Sequence, residues 1–350
     1  MKAKVKSRPA KQETPADKRT GLQGGRPLVM KIAMVLLSVA IAAGISEVGL
    51  MLFFRNRFVT FDDERTLLYR YDRNLGWFPI PNSKDQFLAS RVIAVENNSE
   101  GFRAPERSAN HKRGIIFLGD SFVWGFDVNA TERFTEKLQA KHPEWSIFNF
   151  GVSGYGSDQE YLLLQQRFDA YQPRVVFLVF CAENDHDDNS SNVIADEYYK
   201  PYFTFAQGHL DLHGVPVPLS WRSFLAEHQM LAKSYVVQLV SRSWFKLTAP
   251  RPLHNPDPTA AILHRLQQYV TAKGAVLVVG LTSSDPPLEE FLHLVQLPYV
   301  DLSTSLRYAN FGAHWTPEGH TFVCNKIEEL LLNGKFMNEV TAARRDRSGD

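Results

Sequence analysis

From Arg113 onward the chain alternates short apolar runs rich in β-branched residues with longer helical patterns, and this rhythm restricts the fold more than any other feature. The apolar runs fall at 114–118, 146–150, 174–181, 275–280 and 299–302, and the helical patterns at 131–141, 159–171, 260–272 and 317–332. Strands alternating with helices of this length imply a parallel sheet covered on both faces. The expectation is a three-layer α/β/α sandwich around a mainly parallel five-stranded sheet, in a domain over about 110–335. Pro317 suits the first turn of the last helix. Residues 187–258 break the rhythm with a possible hairpin (202–219) and a helix (224–243). An insertion at the carboxyl end of a central strand sits where open α/β sheets bind ligands, so a lid or substrate wall is expected there.

Upstream, residues 1–31 hold nine Lys and Arg against Glu13 and Asp17, although the whole chain carries a net charge of only +1. The remainder is therefore acidic, which argues against nucleic-acid binding. Residues 1–27 read as a disordered basic tail. An apolar stretch from Ile32 to Phe54 follows, long enough as a helix to cross the ~30 Å hydrocarbon core of a bilayer. A secretory h-region is shorter, about 7–15 residues, so 28–54 is read as an uncleaved transmembrane helix. Cleavage after Ala40-Ile41-Ala42 is the competing outcome. The excess of N-terminal cations over Arg55 and Arg57 places the tail in the cytoplasm of a single-pass inner-membrane protein and the rest in the periplasm. Residues 55–109 form a prefix with little periodicity, and 336–350 a tail.

The hydrophobic content of 44% is that of a globular protein. Cys181 and Cys324 each lie in an apolar run; two cysteines do not make a disulfide framework, and buried free thiols are expected.

Four polar motifs punctuate the α/β region. The first apolar run ends in Gly119-Asp120-Ser121, which puts a serine at the carboxyl end of a strand. The nucleophile elbow G-x-S-x-G does not fit, because Val123 takes the second glycine position. The second run ends in Asn149-Phe150-Gly151-Val152-Ser153-Gly154, whose glycines fail the dinucleotide pattern at Gln159. Asn184-Asp185 follows the third, and Gly312-Ala313-His314-Trp315 precedes the last helix. In a doubly wound sheet, motifs at successive strand ends converge.

In these four blocks the chain resembles the SGNH/GDSL hydrolase family, over roughly residues 110–335. The Asn98-Ser99-Glu100-Gly101-Phe102-Arg103 and Leu75-Gly76-Trp77 segments resemble its single-pass bacterial members. The resemblance implies a flavodoxin-like sandwich, Ser121 as nucleophile and His314 as general base. It implies an oxyanion hole made by the Ser121 and Gly154 N–H groups with the Asn184 amide, and neither cofactor nor metal. The implied substrate is an ester or acylated glycan, cleaved by hydrolysis. O-acetyl transfer to an envelope polysaccharide uses the same site, and a silent glycan-binding or scaffold protein is the alternative of another class. Protein partners are not legible.

One departure stands out. Members of the family carry an aspartate two or three residues before the histidine, where this chain has Phe311 and Gly312, and no carboxylate lies between Ser303 and His314. Three arrangements follow: a Ser–His dyad held by a backbone carbonyl or by Asn310, a distant acid such as Asp301 folding back, or a protein with little hydrolase activity. Asp120 and Asp185 are expected to stabilise turns, and His320 to be solvated or to cap. Asp185-His186-Asp187-Asp188 lacks the spacing of a calcium loop. Trp315 is expected to pack the wall of the site, with sugar stacking as its other possible use.

Overall fold

A computed structural model describes residues 25–106, 114–194, 198–310 and 312–334; the expected basic and C-terminal tails lie almost wholly outside them. The chain divides into two compact units, Met1–Arg55 and Asn56–Asp350. The first contains helix α1, Gly25–Phe54, within an apolar span over Leu28–Arg57 with mean hydropathy 2.4. That is long and apolar enough to cross a membrane, a property shared by membrane anchors and signal sequences.

The second unit is built on a five-stranded sheet: β1 Ile115–Gly119, β2 Ile147–Asn149, β3 Val175–Phe180, β4 Val276–Leu281 and β5 Tyr299–Asp301. The spatial order is β5-β4-β3-β1-β2 and every pairing is parallel. This is the 2-1-3-4-5 order of flavodoxin-like sheets, whose strand order reverses between β1 and β3. Strand alternation sorts the side chains onto two cores. Ile116, Leu118, Val176, Leu178 and Val279 face one layer, and Ile115, Phe117, Val175, Phe177 and Val278 the other. Helix α2 is Phe134–Lys141 and α3 Ser157–Tyr171. Downstream lie α4 Tyr235–Thr248, α5 Thr259–Ala272, α6 Pro286–Leu294 and α7 Pro317–Asn333. The first core packs α3, α5 and α6 against the sheet, and the second packs α2 and α7.

The prefix is more regular than its sequence suggests. A helical turn, Glu64–Leu68, leads into two antiparallel hairpins, Tyr69–Asp72 with Gly76–Pro79 and Lys84–Leu88 with Val92–Glu96. Their Tyr69, Trp77, Phe78 and Phe87 are buried in the first core together with Phe102 from the loop that follows, which stacks on Phe150 at 4.1 Å between centroids. In the insertion, the hairpin pairs Tyr202–Ala206 with His209–His213. The single helix expected over 224–243 is instead three pieces: Trp221–Glu227, Gln229–Ala232 and α4. His228 leaves helical geometry (φ −122°, ψ 56°), and Ser234 caps α4 by accepting the Val237 N–H.

Candidate active site

Ser121 follows β1 at the point where the strand order reverses. Asp120 caps the short helix Ser121–Trp124 by accepting the Phe122 N–H at 2.9 Å, which lifts the serine out of the strand. The loop after β2 closes over this turn: Val152 N–H donates to Gly119 O, and the Asn149 amide to Val123 O at 2.8 Å. At Gly151 any side chain would collide with the backbone of Val123 and Trp124. Proximity of the two strand ends therefore depends on that glycine.

His314 precedes α7 and is buried, with its ring stacked on Phe126 at 4.8 Å. Its Nε2 lies 2.8 Å from Ser121 Oγ. Its Nδ1 lies 3.1 Å from Asp127 Oδ2. A carboxylate only accepts, so Nδ1 carries the proton and the Nε2 lone pair faces the serine. Ser121 Oγ also approaches Asp120 Oδ2, at the longer distance of 3.3 Å.

The acid facing His314 is thus on neither residue that the sequence put forward. Asp301 Oδ1 caps the Ser303 N–H. Asn310 is exposed, and its carbonyl accepts the Ala313 N–H. Phe311, at one of the expected aspartate positions, lies outside the described residues. Asp127 comes instead from the turn that carries Ser121. Gly125 ends the short helix at φ 81° and reverses the chain, and Asp127 follows two residues later. A glycine stop one turn after the serine, followed by a carboxylate, is the signal that the sequence carries for it.

The prefix holds that turn in place. Ser90 N–H donates to Asp127 Oδ1 at 2.9 Å, and Arg91 Nε to Asp127 O at 3.2 Å. Arg103, fully buried, donates to the carbonyls of Ala94, Trp124, Gly125 and Val128, with its guanidinium 4.7 Å from the Trp124 ring centroid. Burial pushes the Asp127 carboxyl up, but hydrogen bonds from His314 and Ser90 outweigh it and leave it below its usual value.

Among the described residues, neither the Ser121 nor the Gly154 N–H has an acceptor. Gly154 has φ 76°, and a side chain there would run into the Arg65 guanidinium. The Asn184 amide donates to Asp188 Oδ2 at 2.9 Å, which commits one of its two hydrogens. Asp120, Asp158, Glu160, Asp185 and Asp188 form a buried acidic group in this region. Burial raises all five, Asp188 to about 7. Lys200, itself fully buried, pairs with Asp158 and donates to Asp188 O at 2.8 Å.

Several expectations change. His320 is buried and not solvated, but it does cap: its Nδ1 accepts the N–H of Phe134, the first residue of α2, at 3.3 Å, and burial with nearby Arg133 pushes its pKa well down. Trp315 is fully buried between Phe122 and Phe134 and has no face for a sugar. His186 spends both ring nitrogens on Asp257 and Asp285, each at 2.6 Å. Cys181 and Cys324, by contrast, are buried, unpaired thiols as expected.

Fold and site together define an α/β protein with a hydrogen-bonded Ser–His–Asp array at the sheet's strand-reversal edge. No protein-family model and no curated protein matches the chain. Among solved structures it is similar to a member of the lipolytic protein G-D-S-L family from Veillonella parvula, with 13% identity, 63% of this chain and 98% of that chain covered, and TM-score 0.37. A GDSL-like lipase from Bacteroides thetaiotaomicron is similar at 11% identity, 66% and 92% coverage and TM-score 0.35. A two-domain esterase active on acetylated mannans is similar at 11% identity, 64% and 50% coverage and TM-score 0.36.

Proposed function

We propose that this chain is a serine ester hydrolase, with short acyl esters as substrates and O-acetyl groups of envelope glycans as the natural ones. The observation that carries the reading is the continuous Ser121–His314–Asp127 hydrogen-bond chain. A serine hydroxyl is a weak nucleophile until a base takes its proton, and a neutral imidazole with Nε2 free is that base. In the proposed reaction Ser121 Oγ attacks the ester carbonyl carbon as its proton passes to His314 Nε2. The imidazolium is stabilised by the Asp127 carboxylate. The Ser121 and Gly154 N–H groups receive the oxyanion, joined by the Asn184 amide once it turns from its carboxylate partners Asp120 and Asp188; one such donor contributes about 2.7–4 kcal/mol in a studied protease. The alcohol leaves with the proton from His314. A water molecule, deprotonated by the same nitrogen, then attacks the acyl-serine and releases the acid. The glycan substrate rests on reading α1 as an anchor that exposes the second unit to the envelope, and on the sequence resemblance.

Fluorophosphonate labelling of the full chain tests the nucleophile. Labelling of wild type that disappears in Ser121→Ala and His314→Ala supports the reading, and an unlabelled, folded wild type sinks it. Acetate release from acetylated polysaccharide tests the substrate. Transfer of acetyl to a glycan acceptor without free acetate would replace hydrolysis by transfer at the same serine.

A further inference from the structure

Helix α4 carries an apolar face that no described residue of the second unit covers. Its inner side packs Val237 and Phe245 against the small core of Trp221 and Leu225. On its outer side Val240, Trp244 and Leu247 recur at helical spacing and are 61%, 64% and 84% exposed. Met230 and Leu231, just before it, are exposed too. Large apolar groups grouped on one surface mark an interaction site.

Two observations identify what covers this face. From Gln229 to Arg251 the chain has four cations, Lys233, Arg242, Lys246 and Arg251, and no acidic residue. A helix with a Trp/Leu face flanked by Lys and Arg matches the composition of helices that lie in the plane of an anionic lipid surface. The second observation is covalent. The apolar span ends at Arg57, and the next two residues are already fastened to α4. Phe58 packs its ring on Tyr235 at 4.8 Å, and Val59 exchanges hydrogen bonds with the Gln238 side chain at 3.2 and 3.1 Å. A peptide advances at most about 3.6 Å per residue. Where the span leaves a bilayer, the chain can carry α4 only a short distance from the headgroups.

We propose that α4 is an interfacial helix that docks flat on the bilayer entered by α1, burying Val240, Trp244 and Leu247 among the acyl chains and placing Lys246 at anionic headgroups, while Arg242 stacks inward on Trp221 at 5.7 Å. The proposal rests on reading α1 as a retained anchor.

Tryptophan fluorescence reads this directly. Trp77, Trp124, Trp145, Trp221 and Trp315 are all buried, and Trp244 is the exposed one. The full chain is reconstituted into vesicles containing phosphatidylglycerol, with bromines placed near the headgroup end or deep in the acyl chains. An interfacial helix sits about 5–10 Å into the boundary, so shallow bromines should quench more than deep ones, and the quenched component should vanish in Trp244→Phe. Replacing Lys246 by Gln should lower quenching, since a cation near an anionic surface biases docking by about five-fold. An alkaline carbonate wash separates the two readings. A chain released by the wash overturns both anchor and docking. A chain that resists the wash but whose Trp244 is unquenched by bromolipid overturns the docking alone; if Trp244 is then also shielded from aqueous acrylamide, the face is a protein contact.

Discussion

Replacing Asp127 by Asn tests the proposed mechanism at its least expected member. The side chain is wholly buried and its two oxygens have different duties: Oδ1 accepts the Ser90 N–H at 2.9 Å and Oδ2 faces His314 Nδ1 at 3.1 Å. An asparagine that keeps its oxygen toward Ser90 must point its NH₂ at Nδ1. That nitrogen would then accept, the ring proton would move to Nε2, and the lone pair facing Ser121 would be lost. The opposite amide flip sets NH₂ against the Ser90 N–H and leaves a buried donor unsatisfied, at about 1–3 kcal/mol. Even in that minority flip the carboxylate charge that stabilises the imidazolium is gone. Loss of the corresponding group in a serine protease lowers kcat about 10⁴-fold, or ~5.5 kcal/mol. The expected loss for Asp127→Asn is about 10³–10⁴-fold in kcat on p-nitrophenyl acetate, with KM little changed. Asp301→Asn and Asn310→Ala should stay within about two-fold of wild type, since surface changes away from a site are nearly neutral. An Asp127→Asn enzyme within about ten-fold of wild type would refute the assignment, as would an equal loss in Asp301→Asn.

Three further outcomes follow from buried or paired charges. Arg103→Lys keeps the charge but cannot span four carbonyls, and hydrogen bonds to charged groups contribute about 1.5–3 kcal/mol each; urea titration should show a loss of about 3 kcal/mol, with lowered kcat because the Asp127 turn loosens. Lys200→Met leaves the Asp158 carboxylate buried without its cation, so a loss of about 3–5 kcal/mol is expected. Asp158 is already raised by burial, and a raised carboxylate loses stability as pH rises, so this loss should be larger at pH 9 than at pH 5. His186 is raised to about 9, first by its bond to Asp257. Its stabilisation is complete below about 6.5 and fades as pH rises through 9; for a partly exposed group it amounts to about 1 kcal/mol after screening. Thermal melts should show that fall in wild type and not in His186→Gln.

The sheet was legible because its signal is local and periodic: every β-branched run from 114 to 302 became a strand within a residue or two, in the expected parallel arrangement. Convergence of Ser121 with His314 was legible for the same reason, since strand ends of a doubly wound sheet share one edge. Asp127 was not, because its reach depends on the left-handed turn at Gly125 and on the carbonyls gathered by Arg103, a geometry that no spacing encodes. The prefix hid its two hairpins because their partners lie in the α/β layers. Trp77 and Tyr155 are adjacent only in the folded chain, where Tyr155 O–H donates to Trp77 O at 2.6 Å. His320 was misplaced for a simpler reason: a polar residue six positions after His314 looks solvated until Phe134 and Trp315 close around it.

Moving the acid from the histidine loop to the serine turn changes what the site depends on. The proposed nucleophile and acid share one short segment, Ser121 to Asp127, whose carbonyls are gathered by Arg103 and whose carboxylate is held by Ser90. The histidine arrives from a separate loop that is fixed by its own backbone: Tyr308 N–H donates to His314 O, and Thr316 N–H to Leu306 O. Under the proposed mechanism, damage to the prefix should therefore disorder the acid and the serine together while leaving the histidine loop in place. A prefix variant such as Arg103→Lys should lose fluorophosphonate labelling and esterase activity in parallel. A variant that lost turnover but labelled at the wild-type rate would show that the prefix acts on substrate and not on the array.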